Sequence, residues 1–221
     1  MTSRKRIFVV VVALVAVLAF FAGADIYRQR TQSRADEAAG QQNDRLVRPH
    51  APVLGPRSAP VTLVEFFDPA CEACRAFYPH VKALLAQYPK DLRLVIRYAP
   101  FHPGSNEMAR LLEAARLQDR YVQVLEAVLH EQPRWADHGR PDLTVGYQVA
   151  TQAGLDLQQA LAAADSPEIR AAIAQDGLDL KELAVQRTPT FFVNGRRLTD
   201  FGPQQLAALV AEEVAKAGRA P

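Results

Sequence analysis

The chain has 221 residues, 49% of them hydrophobic and 23% charged, which suits one folded domain of ordinary size and excludes a wholly disordered protein. A formal net charge of +2, with 26 basic and 24 acidic residues spread along the chain, leaves no basic stripe of the kind that nucleic-acid binding requires. The two cysteines stand together, Cys71 and Cys74, with two residues between them.

The chain opens with Arg4, Lys5 and Arg6, followed by IFVVVVALVAVLAFFAGA at residues 7–24, which carries no charge. As a helix this segment would span roughly 27 Å, close to the hydrocarbon thickness of a bilayer. The leading positive charges keep the N-terminus in the cytoplasm and place residues from Asp25 onward across the inner membrane. Residues 1–24 therefore read as a signal anchor or, because Ala22-Gly23-Ala24 has the small-residue cleavage pattern, as a signal peptide. Residues 25–60 read as a polar linker, rich in Arg and Gln at first and ending in APVLGPRSAP with three prolines and a glycine.

A folded domain is expected over residues 61–217. VTLVEFF at 61–67 is a β-branched and aromatic run, as in a strand buried on both faces, with Glu65 as the anomaly. A carboxyl in such a run holds its proton more tightly than usual, unless the strand end is wet or an ion pair, for instance with Lys82, compensates it. DPACEAC then turns into a helix through Tyr88, with Phe77, Val81, Leu84 and Leu85 on one face and Pro79 inside it. LRLVIRY at 92–98 is the next strand, and strand, helix and strand at this spacing predict a right-handed parallel βαβ unit. Residues 103–186 read as a helical insertion of about 85 residues. Its signals include Met108, Leu111, Leu112 and Ala115 on one stripe, a second stripe from Tyr121 to Leu129 closed by Pro133, and Ser166-Pro167-Glu168 as a helix start. TFFVNGRRL predicts a short hairpin, and PQQLAALVAEEVAKAG a closing amphipathic helix. The fold class is thus α/β with a helical insertion.

The cysteine pair has three readings. A structural disulfide would close too short a loop to constrain the unfolded chain much. Metal binding is the second, but zinc sites use four ligands and His50, His80, His102, His130 and His138 show no paired ligand spacing. Redox chemistry is the third. A C-x-x-C that follows a strand and opens a helix puts its first thiol at the positive end of the helix dipole, where a thiolate is favoured, and its second one turn on, where it can release a mixed disulfide.

LVEFFDPACEACRAFYP resembles the active-site segment of the DsbA-like branch of the thioredoxin superfamily. The shared features are the Glu-Phe-Phe strand, an acid six residues before the first cysteine, the cysteine pair and a proline eight residues after its first member. RTPTFFVNG resembles the segment carrying that superfamily's cis-proline loop, and GPRSAPVTLVEFF the entry to its domain. The resemblance covers about residues 54–217 and implies a thioredoxin fold. It implies Cys71 as the attacking and Cys74 as the resolving cysteine, Pro189 as a cis-proline that keeps metals away, Thr188 as the residue whose backbone pairs with an extended substrate, and Glu65 as a buried acid relaying the proton of Cys74.

One departure bears on strength. Glu72 and Ala73 stand between the cysteines where the strongly oxidising members carry Pro-His, so a hydrogen-bond donor is lost and a negative charge is added, with Arg75 as a partial offset. The expected activity is periplasmic thiol:disulfide exchange on the thiols or disulfides of exported proteins, as a DsbA-like oxidant of moderate strength. The expected partner is a membrane redox protein, the cofactor none beyond a Cys71-Cys74 disulfide, and the state a monomer, since residues 25–60 are too short and polar for the dimerisation domain common in isomerases. A specialised disulfide reductase or isomerase remains open, as does, from another class, a copper-binding module using the two sulfurs as soft ligands.

Overall fold

The computed structural model describes residues 41–219, so the segment read as a signal or anchor and the first part of the linker lie outside the described residues. Among the described residues no helix is long and apolar enough to cross a membrane. Five strands form one sheet in the order β1-β3-β2-β4-β5: β1 Val53–Leu54, β2 Val61–Phe67, β3 Leu92–Tyr98, β4 Thr190–Val193 and β5 Arg196–Arg197. β2 and β3 are parallel, in register from Val61 opposite Leu92 to Phe67 opposite Tyr98, and the crossover between them is α1, Glu72–Gln87. β4 pairs antiparallel with β2 and forms the hairpin with β5. Asn194 and Gly195 make its turn at φ 46° and 81°, the left-handed region that Asn and Gly tolerate best.

Six helices fill the insertion: α2 Ser105–Arg116, α3 Tyr121–His130, α4 Gln132–Trp135, α5 Leu143–Gln152, α6 Leu157–Ala164 and α7 Pro167–Glu182; α8, Pro203–Ala217, ends the fold. Three of them carry side-chain N-caps. Asp142 accepts from Thr144 and Val145, Asp156 from Gln159, and Ser166 from Ile169. Pro133, expected to close α3, instead lies in the first turn of α4; α3 already ends at His130, and a proline costs nothing where no intrahelical N–H is required.

The central strand explains how the sheet buries both faces. Val61, Leu63 and Phe67 point into the larger core with α1, the insertion and Leu206 and Val210 of α8. Val64 and Phe66 point the other way, against Val95, Ala99, Phe192, Leu180 at the end of α7, and Leu46 and Ala51. The linker boundary at residue 60 is corrected by this second face. Leu46 and Ala51 are each 1% exposed and β1 pairs antiparallel with β3, so the chain before Val61 closes a layer that would otherwise leave apolar sheet in water.

On that same face Arg97 of β3 is fully buried. It donates to Asp176 at 2.8 Å and Asp179 at 2.6 Å, both on α7, and to the carbonyls of Arg45 and Leu46. Arg48 and His50 reach the same two carboxylates at 2.6 and 2.7 Å. Two buried carboxylates are thus met by two guanidiniums and an imidazole, which is the condition for keeping charge inside.

Candidate active site

The loop after β2 delivers Cys71 to the N-cap position of α1, with extended backbone at φ −78° and ψ 118°. Its N–H donates to the Asp68 carbonyl at 3.1 Å and its carbonyl accepts from Arg75 at 3.1 Å, so the residue is held at both ends of its backbone. Cys74 is one turn on, within the helix. Both are free thiols, 5% and 0% exposed respectively. Opposite Cys71 lies the turn before β4, where the Thr188–Pro189 peptide is cis and the Thr188 carbonyl accepts from the Cys71 thiol at 3.3 Å.

The two sulfurs occupy opposite electrostatic environments. Cys71 is lowered to about 6, first by a hydrogen bond from the Cys74 thiol, against the cost of burial, and then by the Thr188 hydroxyl and the N–H groups of Cys74 and Ala73. In the thiol form Cys71 closes no cap bond on α1, and the buried Thr188 hydroxyl has no partner. These donors therefore act when a thiolate is present. Cys74 is pushed well up, chiefly by desolvation, then by the bond it donates to Cys71 and by the charges of Glu65 and Cys71. Glu65 projects from β2 into the same core at 1% exposure, with one carboxyl oxygen unpartnered, and burial followed by the Cys71 charge raises it to about 8. Lys82 is not its counter-ion, because that ammonium pairs with Glu126 at 2.7 Å.

Asp68, which the sequence reading passed over, organises the loops around Cys71. It is fully buried, and its carboxylate accepts from the N–H groups of Ala70, Phe101 and His102, from Ser105 Oγ and from His102 Nδ1 at 2.7 Å. Gln132 is the second such residue. Buried at 1% exposure in the insertion, it donates through Nε2 to the carbonyls of Pro69 at 2.7 Å and Cys71 at 3.1 Å. The only local hint of Asp68 is an Asp-Pro step before a turn; Gln132 has none. Arg75, expected to offset the loss of a donor between the cysteines, lines a groove of about 840 Å³ with Tyr78, Lys82 and His130. Among the described residues no group of three or more His, Cys, Asp or Glu side chains could hold a metal ion.

Residues 48–212 match the family described as Thioredoxin. The chain belongs to that family. Its thioredoxin fold with a helical insertion superimposes on a thioredoxin-like oxidoreductase of Silicibacter pomeroyi with a TM-score of 0.68, at 33% identity over 80% of this chain and 98% of that one. BdbD of Bacillus subtilis superimposes with a TM-score of 0.67, at 22% identity over 75% of this chain and 94% of the other, which shows a shared fold. A segment of a Na(+)/H(+) antiporter NhaA of Herminiimonas arsenicoxydans is 34% identical over 146 residues, 66% of this chain but 22% of the antiporter. The chain thus spans under a third of the curated relatives it matches. As a thioredoxin-family protein it has its cysteine pair at the junction of β2 and α1, facing the cis-proline turn.

Proposed function

We propose that this chain is a thiol:disulfide oxidoreductase of the DsbA-like type, acting on the thiols of exported proteins in the periplasm as an oxidant of moderate strength. The observation that carries the reading is the unequal placement of two neighbouring thiols, Cys71 at the N-cap of α1 against the Thr188 carbonyl at 3.3 Å and Cys74 fully buried inside the helix, which draws Cys71 down to about 6 and holds Cys74 well up. A pair of equivalent sulfurs would be a strut or a chelate. An unequal pair has a leaving group and a nucleophile already assigned.

In the oxidising direction the disulfide between Cys71 and Cys74 is attacked at Cys71 Sγ by a substrate thiolate. The sulfur–sulfur bond breaks, and Cys74 leaves and takes a proton. A second substrate thiolate attacks the substrate sulfur of the mixed disulfide and releases Cys71 as a thiolate. Two electrons pass from the substrate to the pair. Glu65, protonated at neutral pH and on the same face as Cys74, supplies the proton that Cys74 needs and takes it back when a membrane redox partner restores the disulfide. Thr188 offers its carbonyl to an extended substrate beside Pro189. No cofactor beyond the disulfide takes part, and the working unit is a monomer.

The strength follows from the thiolate. A leaving thiolate at about 6 is more stable than a free cysteine at about 8.5 and less stable than the lowest values, near 3.5, known for helix-capping cysteines. Stabilising the thiolate stabilises the reduced pair and so makes the disulfide more oxidising, here to an intermediate degree. A periplasmic thioredoxin-like protein of Salmonella enterica shares the fold, at a TM-score of 0.64, which supports the compartment. The test is equilibration of the pair with glutathione, together with reduction of insulin by the wild type and by Cys71→Ala and Cys74→Ala. A potential above the glutathione poise and insulin activity lost with Cys71→Ala are expected. Stoichiometric Cu(I) retention without exchange would overturn the reading in favour of a copper-binding module.

A further inference from the structure

Glu72 and Ala73 bring no cationic side chain between the two sulfurs, and His102 stands on a second loop that is tied to Cys71 through Asp68. Asp68 links the two loops. Its backbone carbonyl fixes the Cys71 N–H at 3.1 Å, while its carboxylate takes the His102 N–H at 3.0 Å and His102 Nδ1 at 2.7 Å. With Nδ1 committed to Asp68 and the side chain 46% exposed, the protonated ring keeps water around it. The loop has little freedom to move the ring away. Ala99 N–H is tied to the Phe67 carbonyl at 2.8 Å and Ser105 N–H to the His102 carbonyl at 3.2 Å. Gly104 has φ +78°, and a Cβ there would lie 2.7 Å from Pro141.

We propose that the His102 imidazolium, held by Asp68, is a positioning residue for the Cys71 thiolate, supplying from the loop between β3 and α2 the positive charge that the intervening pair Glu72-Ala73 lacks. The proposal rests on the thiol:disulfide reading of the site and adds a residue to it. The titratable groups that act on the ring are Asp68 from the loop after β2, and Cys71 and Glu72 from the start of α1. Burial opposes the ring's charge, but these three acids outweigh it and raise His102 above an ordinary histidine. Attraction is mutual. Whatever the Cys71 thiolate adds to the proton affinity of His102, the imidazolium subtracts from that of Cys71.

His102→Asn tests the charge alone, since the amide can still donate to Asp68 where Nδ1 did. In the reduced protein, with the thiolate followed by its ultraviolet absorbance, the Cys71 pKa should rise by about half a unit. The thiolate fraction near pH 6 then falls about twofold, and the equilibrium with glutathione shifts by about threefold towards the disulfide. His102→Lys, which keeps a cation, should lie nearer the wild type. An unchanged Cys71 pKa and potential in folded His102→Asn, or an equal loss in both variants, would overturn the proposal.

A reciprocal measurement needs no change at His102. Its imidazole, titrated by NMR in the reduced wild type and in Cys71→Ser, should lose a few tenths of a pH unit when the thiolate is removed. Identical titrations would likewise overturn it. A wild type that fails to exchange disulfides while His102 and Cys71 still titrate together would refute the functional reading and leave the coupling standing.

Discussion

Glu65→Gln asks whether the carboxyl under the cysteines is as dry as its surroundings imply. In the folded, reduced protein Glu65 is raised from an ordinary 4.5 to about 8 by complete burial, with the Cys71 charge adding to it. The sign follows from which state binds the proton. Folding makes the carboxyl hold its proton more tightly, so Glu65 costs nothing below pH 4.5, where both states are protonated, and costs progressively more until the folded group ionises at about 8. Between pH 4.5 and 7 wild-type stability therefore loses about 1.4 kcal/mol per pH unit through this residue, on the order of 3 kcal/mol in all. Gln cannot ionise and feels none of this. Its own cost, an amide with few partners, is the same at both pH values and cancels in the comparison. Denaturant unfolding of both proteins at pH 4.5 and pH 7, with the thiols reduced, should show Glu65→Gln gaining on the wild type by on the order of 3 kcal/mol as pH rises. Cys71 contributes the opposite slope, from about 6 upward, but equally in both proteins. A difference that does not change between the two pH values would refute the desolvation argument and, with it, the case for Glu65 as a proton relay.

Thr188→Val removes the hydroxyl that lowers Cys71 while keeping the carbonyl that accepts from its thiol, so the Cys71 pKa should rise by about half a unit or more without loss of fold, as read from thiolate absorbance against pH. Gln132→Ala deletes the bonds to the Pro69 and Cys71 carbonyls; the Cys71 carbonyl keeps the Arg75 N–H, while the buried Pro69 carbonyl loses its donor, at a cost of about 1–3 kcal/mol in denaturant unfolding. Hydrogen exchange should quicken first at Cys71 and its neighbours in the loop. Asp176→Asn halves the charge that compensates buried Arg97, and a loss of about 3–5 kcal/mol is expected by denaturant unfolding. Given a substrate disulfide, Cys74→Ala should trap the mixed disulfide that forms when the Cys71 thiolate attacks one substrate sulfur and the other leaves, visible as an adduct on non-reducing electrophoresis, whereas Cys71→Ala should trap none.

Several elements are legible from local pattern because local physics makes them. VTLVEFF and LRLVIRY are strands at the positions their β-branched and aromatic runs mark, the hairpin turns at Asn194-Gly195, and Ser166-Pro167-Glu168 begins a helix, since side-chain crowding, left-handed backbone and capping act within a few residues. The cysteines at a strand-to-helix junction belong to the same class, because the helix dipole is a property of the turn that follows them. The tertiary structure alone decides what stands opposite. Thr188 lies 117 residues from Cys71, Gln132 lies 61 from it, and Asp176 lies 79 from Arg97. The segment from Leu46 to Leu54 reads as linker because two residues of strand and two buried apolar side chains make no period; only the uncovered face of the sheet gives them a place. Asp68 shows the difference within one residue. Its place before a turn is written locally, but the five donors that converge on it come from its own loop, from the loop after β3 and from the first residue of α2, and closing the sheet is what brings them together.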